Sequence, residues 1–448
     1  MQPNILLIVL DSLRADKLFG KNKTTKTPTI DSMIKNGIYF SNAHTTNQYT
    51  SQVMQSIFSG RFLLNDEFTK NYSFEHSFLF QLEKLGYHNY TLNKKDVFLQ
   101  GLREKFSDDD ISFNDEENIY TGLEERILKK ISKIKKPWFY YIHLQDLHTP
   151  CVVPENLSHL NLKDRYDQNI NQIDLLIKKI LQEINIDETL VIITSDHGEY
   201  ISPIEEAQKE TPSTRTFVKN KFKNILPLQT REKIHKKKKI LQSKFESIKT
   251  DSTHEKRTVL YNRRMLSKTL FDDITHVPLL FYGFKINPHL PINQQVCNVD
   301  IFPTIFELLE FSSNKNNFHG NSFASLLKNQ KSDPAPIYLT SLPILEQLKA
   351  NIKLESSDPV VGIRTPNFKY FRNFKNENQN VNLFDLQNDP FEQNNIAKSN
   401  PKVIEKMESY LRNFKISSKE DKIDKKPEKI DDSEIKKAKD VLKKLGYI

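Results

Sequence analysis

From residue 1 to about 330, apolar runs alternate with amphipathic stretches. Asn4–Leu10, Trp138–Leu144, Leu190–Thr194 and Val277–Tyr282 are almost unbroken aliphatic, β-branched and aromatic runs. Runs of that length between helical patterns predict strands buried on both faces of a parallel sheet. Tyr87–Leu92 reads as a further strand, and Phe78–Leu85, Glu124–Ile134, Gln168–Ile184 and Asp300–Leu309 repeat apolar residues at helical spacing. The expectation is an α/β domain over 1–335 with a large mixed, mostly parallel central sheet. From about 336 the pattern changes to short alternating runs, Pro336–Thr340, Pro359–Thr365, Phe368–Phe374 and Val381–Asp385, followed by a helix at Pro401–Phe414. This predicts a small antiparallel α+β unit over 336–415. Residues 416–434 are densely and evenly charged, which predicts a flexible linker. The apolar positions Ile435, Val441, Leu442 and Leu445 then predict a terminal amphipathic helix within 416–448.

Two of the buried runs end in carboxylates. The first leads into Asp11, and Leu190-Val191-Ile192-Ile193 leads into Thr194-Ser195-Asp196-His197-Gly198. Ligands of open α/β sheets gather beyond the carboxyl ends of the strands, so Asp11, Asp196 and His197 are expected to meet there. Two carboxylates and an imidazole suit a divalent cation. A third part lies at Thr50-Ser51-Gln52-Val53-Met54, where Val53, Ile57 and Phe58 fall at helical spacing and Gly60 closes the segment. A hydroxyl at a helix N-terminus stands in a field that stabilises an alkoxide or a bound anion. Read from this segment alone, a helix cap is the simpler account of Thr50.

Asn4–Asp16 (NILLIVLDSLRAD), Thr50–Arg61 and Thr194–Glu199 (TSDHGE) together resemble the sulfatase-like branch of the alkaline phosphatase superfamily. Thr27–Asp31 with Gly37–Phe40, Leu147-His148-Thr149-Pro150, Thr275–Leu280, Asp300–Thr304 and Leu383–Pro390 follow in that family's order, and Leu445–Ile448 is similar to a common family ending. The resemblance implies an alkaline-phosphatase-like sandwich with the small C-terminal subdomain beside the active-site mouth. It also implies a metal-dependent hydrolase or transferase acting on phosphate or sulfate esters.

The chain departs from the family at the nucleophile. Type I sulfatases oxidise a Cys or Ser to formylglycine within C/S-x-P-S-R. Here that position is Thr50, with Gln52 and Met54 at the proline and arginine positions, and the cysteines Cys151 and Cys297 lie elsewhere. Formylglycine is therefore not expected, and a threonine nucleophile resembles the family's phosphodiesterases and lipid-headgroup phosphotransferases. Ser12 stands where sulfatases carry a second metal-binding aspartate. The resemblance then implies Asp11, Thr50, Asp196 and His197 as ligands of one divalent metal, with Mn²⁺, Zn²⁺ or Mg²⁺ preferred to Ca²⁺ because of the histidine. It implies in-line attack by Thr50 and a covalent Thr50 ester that passes to water or an acceptor alcohol. His148 and His276 are the candidates for binding the anion or protonating the leaving oxygen, and Lys268 is a further anion contact. His276 equally fits an ordinary strand-end residue, His143 reads as a core histidine or a support for the ligands, and Arg14 and Arg61 read as ion-pair residues. A second cation held by Asp146, His148 and His276 is the alternative to a one-metal site. An inactive relative that binds an anionic glycan or lipid is another alternative, favoured by Met54 and opposed by retention of the whole ligand set.

Two well-separated cysteines give no disulfide framework, no secretion signal is read, and no stretch reaches the roughly 20 apolar residues of a membrane span. The expectation is a cytoplasmic enzyme with no transmembrane segment, acting on biosynthetic intermediates. Residues 205–257 carry 15 Lys or Arg against 7 Asp or Glu, nearly all of the net charge of +9. This basic insertion, set at about 203–265 and helical between Arg231 and Lys249, would draw in a polyanionic glycan or an anionic lipid surface, or would simply be solvated. Nucleic acid is disfavoured, because no aromatic platform is interleaved with the lysines.

Overall fold

The apolar runs form the middle of an eight-stranded sheet. Its strands are β1 (Asn4–Leu10), β2 (Ile38–His44), β3 (His88–Lys94), β4 (Ser112–Phe113), β5 (Trp138–Leu144), β6 (Thr189–Thr194), β7 (His276–Gly283) and β8 (Val296–Cys297), in the order β4-β3-β5-β1-β6-β7-β2-β8. The block from β4 to β6 is parallel, β7 runs antiparallel to both β6 and β2, and β8 pairs parallel with β2. The computed structural model describes residues 2–21, 23–62, 77–94, 105–106, 112–113, 117–201, 269–311, 318–330, 332–341 and 358–420.

Period-two alternation divides the strand residues between two apolar layers. Ile5, Leu7 and Val9 join Tyr141 and Ile192 in one layer, packed under α2 (Thr50–Ser59), α3 (Phe78–Lys84) and α7 (Ile301–Leu308). Leu6, Ile8 and Leu10 join Ile142 and Ile193 in the other, packed under α1 (Pro28–Asn36), α4 (Leu123–Ile131) and α5 (Leu162–Glu183). Among the described residues, α6 (Asp272–Thr275) and α8 (Ala324–Leu327) are two further short helices of the α/β part. Helices on both faces bury β1, β5 and β6 completely, which is why these strands read as continuous apolar runs.

The second sheet is antiparallel, with β9 (Ile337–Thr340), β10 (Val360–Arg364), β11 (Phe368–Asn373) and β12 (Asn382–Asp385) in the order β12-β11-β10-β9. Met407 and Leu411 of α9 (Pro401–Glu420) pack on it in a third core with Leu270 and Phe271. The expected mixed, mostly parallel sheet and separate antiparallel sheet are thus both present.

Some element ends differ from expectation. Helix α5 starts at Leu162 rather than Gln168, because Asn161 caps it by accepting from Asp164 N at 2.9 Å. Helix α9 runs to Glu420, so residues 416–420, expected as linker, are helical; no Gly or Pro interrupts the chain before Pro427. The basic insertion, its helix at Arg231–Lys249, Lys268 and the terminal helix lie outside the described residues. No helix among the described residues is long and apolar enough to cross a membrane.

Candidate metal centre and nucleophile

Parallel pairing of β5, β1 and β6 brings their carboxyl ends side by side. Asp11 leaves β1 there, and its N–H donates to Leu144 O at the end of β5 at 2.9 Å. The turn after β1 and the turn after β6 then brace each other. Ser12, with a left-handed φ of 65°, donates its N–H to Asp196 Oδ1 at 3.1 Å, and Leu13 N–H donates to Ser195 Oγ at 2.9 Å. Ser195 Oγ donates onward to His197 O at 2.7 Å, and Ser12 Oγ donates to Asp11 Oδ1 at 2.9 Å. Asp11, Asp196 and His197 end up buried, each offering a ligand atom within 4.8 Å of the others. Among the described residues this is the one such group of three or more His, Cys, Asp or Glu side chains.

Thr50 reaches the same point from α2. It is the first helical residue, while the capping position belongs to Tyr49 and has no side-chain capping bond, so the simple cap reading of Thr50 gives way. Upstream, Asn47 Oδ1 accepts from Gln48 N and Tyr49 N at 2.7 and 3.0 Å; downstream, Gly60 takes the left-handed φ of 64° that ends the helix. The Thr50 hydroxyl lies 3.4 Å from His197 Nε2. His197 Nδ1 donates to Gly198 O at 2.8 Å, which places a proton on Nδ1 and points Nε2 at Thr50 and the carboxylates.

Electrostatics sharpen the picture. Burial works against the charge on Asp11, but the His143 hydrogen bond and the imidazoles of His148 and His197 hold it well below the usual carboxylate range. Burial and then the Asp11 charge push Asp196 upward, against His197, His143 and the nearby Thr50 hydroxyl. Burial pulls His197 down, yet Asp196 and Asp11 outweigh it and its pKa is raised. Two adjacent buried carboxylates cannot both carry charge without a cation beside them. Asp196 Oδ2 is buried without a well-formed hydrogen bond, 3.4 Å from His197 Nε2. An under-satisfied carboxylate oxygen, an open imidazole nitrogen and a hydroxyl converging in a buried acidic site fit a divalent cation.

The other candidates are placed as follows. His143, fully buried on β5, donates from Nε2 to Asp11 Oδ2 at 3.3 Å and takes the Tyr141 hydroxyl on Nδ1. Tyr141 was not foreseen; its signal was the two-residue spacing that puts it on the same strand face as His143. His148 lies near enough to lower Asp11 electrostatically, with Nδ1 facing Thr149 O at 3.2 Å. Thr149 donates to Glu199 Oε2 at 3.3 Å, tying the His148 turn to the His197 turn, a link no local pattern announced. His276 directs Nε2 to Ser41 O at 2.9 Å and stacks on His44. Asp146 accepts from Ile119 N at 2.9 Å, and the trio Asp146, His148 and His276 is not drawn together as the first cluster is. Met54 is buried in the apolar layer under α2, and Arg14 pairs with Asp16 at 2.6 Å.

A family model described as Sulfatase matches residues 3–311. The chain belongs to the sulfatase family. A second model, N-sulphoglucosamine sulphohydrolase, C-terminal, matches residues 258–417, a stretch that includes the antiparallel sheet. An uncharacterized protein of Haemophilus influenzae is 29% identical over 218 residues, covering 47% of this chain and 34% of that protein. Arylsulfatase K of Mus musculus is 27% identical over 154 residues, covering 34% of this chain and 27% of that protein. The match thus spans about a third or less of these curated relatives. Among solved structures, a 2-O GAG sulfatase superposes with TM-score 0.65 at 16% identity, covering 96% of this chain and 95% of the other. A phosphonate monoester hydrolase of Agrobacterium radiobacter superposes with TM-score 0.63 at 14% identity, covering 93% of this chain and 96% of the other. These superpositions establish the sulfatase fold, and the sulfatase family model extends through the turn that carries His197.

Proposed function

We propose that this sulfatase-family chain is a metal-dependent enzyme that cleaves or transfers a phosphate ester through a covalent ester on Thr50. The observation that carries the reading is the Thr50 hydroxyl at 3.4 Å from His197 Nε2, at the edge of the Asp11, Asp196 and His197 cluster. A divalent metal held by Asp11, Asp196, His197 and the Thr50 oxygen would supply Lewis-acid stabilisation of the reacting oxygens. With its hydroxyl proton released to solvent, Thr50 Oγ forms the bond to phosphorus as the bond to the leaving oxygen breaks. His148, in its protonated form, delivers a proton to that oxygen, and water or an acceptor alcohol then releases the ester from Thr50. His276 and Lys268 are further candidates for holding the anion.

The threonine supports phosphorus over sulfur, since it cannot become formylglycine by oxidation of Cys or Ser. Sulfate-ester hydrolysis is the second reading, favoured by the family model and by the names of the relatives. The substrate class is a glycan or lipid headgroup: one structural neighbour is named as a 2-O GAG sulfatase, and the basic 205–257 stretch favours an anionic partner. A reducing, cytoplasmic setting is consistent with two separated cysteines.

The test pairs metal analysis with hydrolysis of an aryl sulfate, an aryl phosphate and a bis-aryl phosphodiester, each with Mn²⁺, Zn²⁺, Mg²⁺ or Ca²⁺. Phosphodiester turnover with one metal per chain supports the Thr50 phosphoryl reading. Preference for the sulfate ester moves the assignment to a sulfatase without formylglycine.

A further inference from the structure

The antiparallel sheet meets the α/β part through a largely buried charged cluster that the proposed reaction does not use. Asp272 opens α6 and receives Arg364 of β10 twice, Nε to Oδ1 at 3.3 Å and Nη2 to Oδ2 at 3.0 Å. Lys369 of β11, fully buried, donates to Asp272 Oδ1 at 2.7 Å and to Thr275 Oγ1 at 3.1 Å, and pairs with Glu392 Oε1 at 2.9 Å. Glu392 Oε2 in turn accepts the Asp272 N–H at 2.7 Å. Both ends of the single turn of α6 are therefore held by groups from the C-terminal part.

What α6 touches on its other side is the metal-ligand turn. Gly198 N–H donates to Ile274 O at 2.7 Å. The approach is so close that a Cβ on Gly198 would stand 2.2 Å from Asp273 O, leaving the two backbones no room to shift toward each other. Gly198 O accepts His197 Nδ1 at 2.8 Å, the bond that turns the His197 ring and leaves Nε2 open. A ligating histidine depends on such a bond from its other nitrogen for its tautomer and ring orientation.

We infer that Lys369 and Arg364 are positioning residues for His197: through Asp272, Ile274 O and Gly198 they set the ring that binds the metal, so the C-terminal sheet is part of the metal centre. The inference rests on the metal-binding reading above. It separates from a general stabilising role because Arg372, also on β11 and also buried, pairs instead with Glu408 at 2.6 Å and Glu377 at 2.9 Å.

The test measures Mn²⁺ and Zn²⁺ dissociation constants for the full-length chain alongside thermal unfolding. Lys369→Met should weaken metal binding about 10–100-fold, the usual effect of losing an outer partner of a ligand, and Lys369→Arg should restore most of it. Arg372→Met, though it also lowers the unfolding temperature, should leave the metal constants unchanged. If Lys369→Met does not fold, Asp272→Asn keeps the side-chain shape and carries the same expectation. Wild-type metal binding with unchanged constants in a folded Lys369→Met or Asp272→Asn protein overturns the inference alone. A wild-type chain that binds neither metal overturns the metal reading, and the inference falls with it.

Discussion

Two pairs of carboxylates, all buried except the partly buried Asp272, stand at the same end of the main sheet, and they are balanced in opposite ways. Asp272 and Glu392 face Arg364 and Lys369, so that each carboxylate has a basic partner within the chain. Burial would raise Asp272, but Arg364 and then Lys369 hold it well below the usual carboxylate range. Among the described residues the charged side chains facing Asp11 and Asp196 are imidazoles, and the two carboxylates shift in opposite directions. Among the described residues the first site has its counter-charges, whereas the second has no cationic partner beyond imidazole. On the proposed function, that difference separates a structural joint from a site for chemistry, although both look alike as clustered acids.

The comparison can be broken in graded ways. Thr50→Ala should lower turnover about 10³-fold or more, as losses of a nucleophile do, and steady-state assays on the metal-loaded protein check it. Asp272→Asn should cost about 3–5 kcal/mol, because it leaves buried Arg364 without its counter-charge and Lys369 with Glu392 alone; denaturant unfolding reads this. The pH dependence has a definite sign. Because the folded pKa of Asp272 is depressed, its contribution is present above the unfolded value of about 3.9 and is lost as pH falls below it, so Asp272→Asn should flatten the acid limb of the stability curve. His143→Phe should weaken metal binding about 10–100-fold by releasing Asp11 Oδ2, with smaller effects on stability in chelator. Asp196→Asn should be the mildest in the metal-free protein, neutral or slightly stabilising, because it relieves repulsion with Asp11. Calorimetry in chelator checks that, and the same variant should lose the rise in unfolding temperature that added metal gives the wild type.

Much of this was legible in the chain. The apolar runs at Asn4–Leu10, Trp138–Leu144 and Leu190–Thr194 announce buried parallel strands, and the rule that ligands gather at strand ends then brings Asp11 to Asp196 and His197. Strand β2 was not read, because Ser41 and Asn42 interrupt its apolar pattern where the strand is only half-buried. The His143 bond to Asp11 was only half visible: strand phase gives the face, but the partner comes from a neighbouring strand. The Asp272 joint was not legible at all. Arg364 and Lys369 lie 92 and 97 positions from Asp272, and isolated charges in short strands read as solvated until tertiary contacts bury them.

The central claim is that Thr50 carries the reaction, and trapping its ester is the most direct measurement. Metal-loaded protein would be quenched in acid during turnover of a bis-aryl phosphodiester and mapped by peptide mass spectrometry. The account predicts a phosphoryl adduct on Thr50 that is absent from Thr50→Ala. Turnover with no adduct on Thr50, or undiminished turnover in Thr50→Ala, would contradict it.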